Sequence, residues 1–353
     1  MRPCQSRTVS LNMYTLESHC YTHVPPPNDA LRTMTTPSWA STPIYLPPLP
    51  SAAPLNALTF SSGIGSYILT GSSDRSITLY NPAKKLKLQS YAAHAHPVLS
   101  LAISTDNSQF VSGGGDKTVF VWDVATAKTV RRFVGHSGRV EGVAWGGEGD
   151  SVVVSGSWDG GVRVWDLRSR GERAVGIFGE AGDAVSCVDV RGGVILAGSV
   201  DGRVREYDLR RGVCEEDCIG EGVTSVVSSG DGESYLVGTL DSKLRLMDRK
   251  TGKCLQTFED EGMVCDNYRI RSTLAMGDSL AVSGSENGQV LCWDVLTGEL
   301  RYRLWHGQDG SQAKSNATTT KHDVVSAVAW NPARKQLASA GGDGGVTIWN
   351  MET

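Results

Sequence analysis

The chain has 353 residues, of which 40% are hydrophobic and 20% charged, and its formal net charge is −4. This composition is typical of a globular protein. The hydrophobic fraction is high enough for the chain to fold around a core. The net charge alone predicts neither a nucleic-acid nor a membrane-surface partner. No stretch approaches the ~18 consecutive apolar residues that a membrane-spanning helix requires.

The N-terminal segment differs from the rest of the chain. Residues 1–54 hold 10 of the 13 prolines and few charged residues. We therefore expect residues 1–42 to form a disordered, Pro-rich tail. Arg2 and Arg7, with no acidic residue before Glu17, also resemble a weak transit peptide, but the segment lacks the apolar core of a secretory signal.

A short motif recurs seven times in the remainder of the chain. Each copy has an Asp or Asn and, six residues later, an aromatic residue or Met that is followed by Asp or Asn. The copies begin at Asp74, Asp116, Asp159, Asp201, Asp241, Asn287 and Asp343, at intervals of 42, 43, 42, 40, 46 and 56 residues. A period of about 40–45 residues with a Trp-Asp ending is typical of a four-stranded propeller blade.

The residues around each anchor acid support this interpretation. A small residue lies three positions before every anchor, and an aliphatic residue lies three positions after it. The small residue that often follows the anchor favours a tight turn, and the run after it favours a strand buried on both faces. Because one such unit cannot bury its faces alone, the sequence predicts an all-β fold with a single seven-bladed propeller over residues 43–353.

Two features concern the closure of this ring. Residues 306–323 are a polar insertion, which accounts for the interval of 56 residues before the last anchor. The chain ends directly after the third strand of the seventh blade, so we expect the missing fourth strand near residues 44–49. Pro47 and Pro48 are tolerable there only because that strand is outermost.

The motif resembles the WD repeat, whose blades contain a hydrogen-bonded tetrad of His, Ser, Asp and Trp. The second copy supplies His94, Ser112, Asp116 and Trp122, and the third supplies His136, Ser155, Asp159 and Trp165. Copies four to six lack the His, and copy seven offers only a displaced His322, so we expect those blades to be less rigid.

The same residue types could be interpreted as a hydrolase triad. However, they recur in two copies, and an enzyme does not need two nucleophiles, so we expect no catalysis. The sequence has no phosphate-binding Gly-rich loop and no His-Glu-x-x-His motif, and Cys214 and Cys218 lack further ligands. We therefore expect neither a metal nor a cofactor.

From about residue 55 to 350 the chain resembles WD-repeat propellers, and it is most similar to the subfamily of mitogen-activated protein kinase organisers. The residues that carry this likeness are 112–117, 121–125, 196–205, 207–210, 240–246 and 250–252. The resemblance implies a protein-binding scaffold for a kinase cascade, associated also with the spliceosome and present in cytoplasm and nucleus. The Pro-rich extension, the insertion and the replacement of the blade-six His near residues 259–263 depart from the pattern.

The candidate partner-binding residues lie on loops that lead into the innermost strands or precede an anchor acid. Trp158 is the strongest candidate, because exposed aromatic and Arg residues are frequent binding hot spots. The other candidates are Arg139, Tyr268, Arg269, His96 and Lys117. The sequence has no basic stripe with interleaved aromatic residues, so it does not predict direct nucleic-acid binding. We expect protein partners, no membrane contact, and a monomer within larger complexes.

A rival hypothesis concerns the Trp-Asp-Leu-Arg and Tyr-Asp-Leu-Arg sequences that end at Arg168 and Arg210. An Arg two places after the Trp-Asp pair resembles the motif by which many WD proteins dock on the adaptor of cullin-4 ubiquitin ligases. A guanidinium suits such a desolvated contact. The alternative function is therefore a cullin-4 substrate receptor.

Overall fold

A computed structural model describes residues 5–7, 38–39, 43–46, 53–307 and 324–352. Three short strands precede the repeats: β1 (Gln5–Arg7), β2 (Ser38–Trp39) and β3 (Ile44–Leu46). Each of the seven repeats then forms one antiparallel sheet, which we number as blades one to seven.

The strands of the blades follow in chain order. Blade one has β4 (Leu55–Phe60), β5 (Ile68–Ser72), β6 (Ser76–Asn81) and β7 (Leu86–Ala92). Blade two has β8 (Val98–Ile103), β9 (Gln109–Gly114), β10 (Thr118–Asp123) and β11 (Thr129–Val134). Blade three has β12 (Val140–Gly146), β13 (Val152–Ser157), β14 (Val162–Asp166) and β15 (Gly176–Phe178), with a 3₁₀ turn at Glu148–Asp150. Blade four has β16 (Val185–Arg191), β17 (Val194–Ser199), β18 (Arg203–Asp208) and β19 (Val213–Cys218). Blade five has β20 (Val223–Ser228), β21 (Ser234–Thr239), β22 (Lys243–Asp248) and β23 (Cys254–Phe258). Blade six has β24 (Ser272–Ala275), β25 (Leu280–Gly284), β26 (Gln289–Asp294) and β27 (Leu300–Trp305). Blade seven has β28 (Val325–Asn331), β29 (Gln336–Gly341) and β30 (Val346–Glu352).

The blades close into a ring around a central channel. The innermost strand of each blade contacts the innermost strand of the next, and β28 of blade seven contacts β4 of blade one. The prediction of an all-β, seven-bladed propeller is therefore confirmed.

The hydrophobic core lies between neighbouring blades, as the small residue before each anchor indicates. A Cβ on Gly113 would approach Val140 to 2.6 Å, and a Cβ on Gly156 would approach Val185 to the same distance. Valines of the following blade therefore pack directly on these glycines. One cluster joins Val111 and Phe133 of blade two to Trp165 of blade three. Burial of each such large side chain contributes roughly 2–3 kcal/mol.

Blade seven is completed from the N-terminal side, as expected. β3 pairs antiparallel with β30, with Ile44 opposite Ile348. Pro47 and Pro48 follow β3 and fall outside the described residues.

The expected boundary between tail and propeller requires a correction. β2 also pairs with β30, with Ser38 opposite Glu352, so Ser38–Trp39 belongs to blade seven and not to the tail. The Trp39 ring meets Tyr302 at 5.9 Å and Trp330 at 6.3 Å, both edge-on. These aromatic contacts fix a segment that composition alone assigned to the tail.

The remainder of the tail lies outside the described residues, apart from β1. This strand pairs in parallel with β19, the outer strand of blade four, with Gln5 opposite Glu215. Cys214 and Cys218 lie in β19, and Cys214 is buried. The described residues contain neither a metal-binding cluster of His, Cys, Asp or Glu nor a helix long and apolar enough to span a membrane.

Candidate partner-binding site at the channel mouth

The order of strands within a blade divides its loops between two faces of the ring. Because successive strands are antiparallel, the turn between the second and third strands shares a face with the connection to the next blade. Trp158 follows β13 and Tyr268 precedes β24, so both lie on this first face. Arg168 follows β14 and Arg210 follows β18, which places them on the opposite face.

The tetrad of blade two is a continuous chain of hydrogen bonds. The Trp122 indole donates to Ser112 Oγ at 2.8 Å, and His94 Nε2 lies 2.7 Å from the same oxygen. His94 Nδ1 lies 2.9 Å from Asp116 Oδ2. These contacts are consistent with a neutral imidazole that accepts from the Ser and donates to the Asp.

Blade three repeats this arrangement closely. The Trp165 indole donates to Ser155 Oγ at 2.8 Å, His136 Nε2 lies 2.8 Å from Ser155 Oγ, and His136 Nδ1 lies 3.0 Å from Asp159 Oδ2. Burial opposes ionisation of Asp159, but the Ser137 amide, His136 and the Gly161 amide outweigh it and lower the pKa of the carboxyl. Burial lowers the pKa of His136, so the ring stays neutral at pH 7.

A third tetrad-like chain occurs in blade seven, where His306 takes the role expected of His322. His306 Nδ1 lies 2.6 Å from Ser339 Oγ, and Nε2 lies 3.1 Å from Asp343 Oδ1. The polar insertion therefore does not begin at residue 306. His306 belongs to the blade, and residues 308–323, including His322, lie outside the described residues. The sequence did contain a signal for this role, because His306 directly follows β27, the outer strand of blade six.

Blades four and five replace the imidazole with an arginine on the third strand. Arg205 is buried and contacts Asp201 Oδ2 at 2.8 Å and Glu216 Oε2 at 3.0 Å. Arg245 pairs with Asp241 at the equivalent position. Both anchor carboxylates therefore have a cationic partner without His, and the expected lower rigidity of these blades remains a prediction.

Four of the six candidate partner-binding residues meet at the mouth of the channel. Arg139, Trp158, Tyr268 and Arg269 line a cavity of about 370 Å³, which we call the channel mouth. Trp158 is 49% exposed, although it lies beside Asp159, the partly buried acid of the tetrad. The Arg139 guanidinium stacks over its ring at 3.9 Å. This cation–π contact holds the indole in place and leaves part of its surface open.

Arg269 forms hydrogen bonds across the channel mouth and is not a solvated side chain. Its Nη1 donates to the backbone oxygens of Glu141 at 2.6 Å and Ser186 at 2.9 Å, and its Nη2 donates to that of Leu99 at 2.8 Å. It also pairs with the buried Glu141 carboxylate, which Arg139 contacts too. Arg269 thus joins blade six to blades two, three and four across the channel.

Tyr268 is positioned by the residue before the blade-six anchor. The buried Glu286 carboxylate accepts hydrogen bonds from the amides of Asp266 at 2.8 Å, Asn267 at 2.7 Å and Tyr268 at 2.8 Å. It fixes the loop in a blade whose anchor is Asn and whose entry His is missing. Residue type alone gave no signal of this role.

The other two candidates lie apart from the mouth. His96 and Lys117 line a separate depression of about 520 Å³ beside Asp116 and Arg132 of blade two. The candidate set therefore divides into a central group and a peripheral pair. Only the central group combines a half-exposed aromatic residue with fixed guanidinium groups.

The two docking-motif arginines differ in their engagement. Arg168 is exposed, and its Nε and Nη2 lie 3.1 and 3.2 Å from the two oxygens of Asp166. The Arg210 amide donates to Asp208 at 2.9 Å. Arg168 therefore presents its guanidinium in a fixed orientation on the face opposite the mouth.

Comparison with known proteins agrees with this architecture. The family described as "WD domain, G-beta repeat" matches residues 85–123, 127–166 and 313–350. WD repeat domain-containing protein 83 of rat is 42% identical over 289 residues, which cover 82% of this chain and 86% of that protein. The human protein of the same name is 41% identical over 288 residues, with the same coverage. This chain belongs to the WD repeat domain-containing protein 83 family.

Two further comparisons qualify that assignment. Human DDB1- and CUL4-associated factor 5 is 29% identical over 119 residues, which cover 32% of this chain and 12% of that protein. The WD-repeat family matches blades two, three and seven, and these are the blades in which His, Ser and Asp are joined by hydrogen bonds. The other blades of this family member keep the fold with different polar pairs.

Proposed function

We propose that the protein is a non-catalytic interaction scaffold that binds a protein partner at the channel mouth. The observation that carries the proposal is the pair formed by Trp158 and Arg139 beside an open cavity. Aromatic and Arg side chains that need little further ordering are favoured as binding hot spots, because less conformational entropy is lost on association. Likeness to the family supports a scaffold in a mitogen-activated protein kinase cascade with a link to splicing, in cytoplasm and nucleus.

The geometry of the tetrads argues against hydrolysis there. Ser155 is fully buried, and its oxygen is already engaged by the Trp165 indole and the His136 ring. A nucleophile must reach a substrate carbonyl, which this hydroxyl cannot do without opening the blade. The three residues therefore act in structure.

The test is a Trp158→Ala variant in a pull-down of kinase-cascade and spliceosomal proteins. We expect partner binding to fall by more than about tenfold, because a hot-spot truncation costs 2 kcal/mol or more. Leu296→Ala is the control, since it truncates an apolar side chain that is 90% exposed on the opposite face of the ring. Equal binding by both variants, with unchanged circular dichroism, would reject the mouth as the binding site.

The alternative function is a substrate receptor of a cullin-4 ubiquitin ligase. The exposed, oriented guanidinium of Arg168 and the partial similarity to a DDB1- and CUL4-associated factor favour it. The experiment is co-precipitation of the adaptor with the wild type, Arg168→Ala and Arg210→Ala. Retention of the adaptor by both variants would dismiss docking through these motifs.

A further inference from the structure

The channel lumen below the mouth contains an unusual arginine. Each blade has a small residue three positions before its anchor acid, on the second strand. In every blade except blade six, the residue paired with it on the innermost strand is also small. These paired residues are Ala57, Ser100, Gly142, Cys187, Ser225 and Ala327. In blade six Arg271 directly precedes β24, whose ladder with β25 begins with Ser272 opposite Ser283, and the same register continued by one residue puts Arg271 opposite Gly284. A full guanidinium therefore projects where the ring otherwise admits a hydroxyl, a thiol or less.

Arg271 has no carboxylate partner among the described residues. Its Nη2 donates to the backbone oxygen of Glu141 at 2.9 Å and lies 3.3 Å from Ser100 Oγ. The Glu141 carboxylate is already paired with Arg139 and Arg269. Three guanidinium groups thus lie around Glu141 at this level of the channel, and its carboxylate pairs with only two of them.

The nearest ionisable groups do not neutralise this charge. Burial, followed by the neighbouring Arg269, lowers the pKa of Arg271 to about 9, so it remains mostly protonated at pH 7. Burial raises the pKa of Cys187, which stays a neutral thiol. Asp189 also lines the lumen. It lies two residues beyond Cys187 along β16, and its carboxylate accepts a hydrogen bond from the Ser228 amide at 2.8 Å.

Two hydroxyl groups in the same part of the lumen have protons left to donate. Ser100 Oγ accepts from the Val143 amide at 3.1 Å and from Arg271. Ser225 Oγ accepts from the amide and the hydroxyl of Ser272, at 3.0 and 2.9 Å. With both acceptor positions of each oxygen used, each hydroxyl proton needs an acceptor that the described side chains do not supply.

We propose that the lumen binds one small oxyanion, such as inorganic phosphate or sulfate, between Arg271 and the hydroxyls of Ser100 and Ser225. The cavity there has a volume of about 470 Å³, enough for an oxyanion and on the order of ten water molecules. Low-dielectric walls concentrate the positive field of the guanidinium inside it. Because Arg269 crosses the mouth, the anion enters from the opposite end, past Ser62 and Ile103. The site is independent of partner binding.

The test is thermal unfolding of the full chain in rising phosphate, with sodium chloride added to keep ionic strength constant. We expect the melting temperature of the wild type to rise with the logarithm of phosphate concentration, as for a ligand that binds only the folded state. Arg271→Met should weaken phosphate binding at least about tenfold, since a hydrogen bond to a charged group is lost. Arg173→Met, at an exposed arginine, should bind as the wild type does.

A second variant keeps the test decisive if Arg271→Met does not fold. Ser100→Ala/Ser225→Ala removes both proton donors and keeps the cation, and we expect it to bind phosphate at least about tenfold more weakly. Crystals of the wild type soaked in selenate should show an anomalous peak within hydrogen-bond distance of Arg271. An absence of phosphate stabilisation in the wild type, or an equal response in the serine variant, would overturn the proposal.

Discussion

Replacing Ser155 with Ala should destabilise the protein more than an ordinary serine truncation. The hydroxyl links the Trp165 indole to the His136 ring, at 2.8 Å from each nitrogen. Its loss leaves two buried polar groups without a partner, and each unsatisfied group costs about 1–3 kcal/mol. We therefore expect the free energy of unfolding to fall by about 2–6 kcal/mol, a large share of the stability of a typical domain.

The assay is urea unfolding followed by tryptophan fluorescence and circular dichroism, on Ser155→Ala, Trp165→Phe and the double variant. Because both single changes break the same chain, their effects should not add, and the coupling should be about 0.5–3 kcal/mol. Ser90→Ala, at an exposed position of β7, is the control for truncating a hydroxyl. A loss below about 1 kcal/mol in Ser155→Ala, or simple additivity, would refute the view that the tetrad carries stability.

Three further outcomes are expected. The unfolded chain binds a proton at His136 with the ordinary pKa of 6.5, whereas the folded chain has a lower pKa. Stability should therefore fall as the pH drops below 6.5, and His136→Gln should flatten that part of a pH series of urea unfolding curves. Arg205→Met should destabilise by about 3–5 kcal/mol in urea unfolding, because it removes the buried guanidinium that pairs with Asp201 and leaves Glu216 paired with Arg203. The exposed Arg168→Met should leave the urea midpoint unchanged. Deletion of residues 1–46 should lower the melting temperature and promote aggregation by exposing β30, whereas deletion of residues 1–37 should do neither.

The fold was predictable because its determinants are local and repeated. Five of the six glycines that lie three positions before an anchor face a valine of the next blade, so one residue type records a contact between blades in most repeats. Repetition of this signal along the chain specifies both the unit and the way the units stack. The closing strand was predictable because the seventh repeat supplies only three strands, β28, β29 and β30, whereas the other repeats supply four.

The features that sequence reasoning missed depend on contacts between distant residues. Ser38–Trp39 joins blade seven through Trp39, whose neighbours Tyr302 and Trp330 lie near the other end of the chain. His306 was assigned to an insertion because it stands 33 residues before Ser339, whereas His136 stands 19 residues before Ser155. Spacing within a repeat cannot identify a partner when an insertion lies between the two.

Departures from the repeat pattern also locate the candidate site better than the repeat itself. The regular positions supply buried tetrads and packed valines, which any blade of the ring could contain. Glu141, Arg269 and Arg271 have no counterpart at equivalent positions of the other blades, and they meet in one section of the channel. A buried carboxylate shared by two guanidinium groups costs desolvation energy, and packed apolar side chains would serve folding as well. Its presence beside Trp158 supports the proposal that this section of the ring binds a partner. The phosphate titration and the Trp158 pull-down test the lumen and the mouth separately.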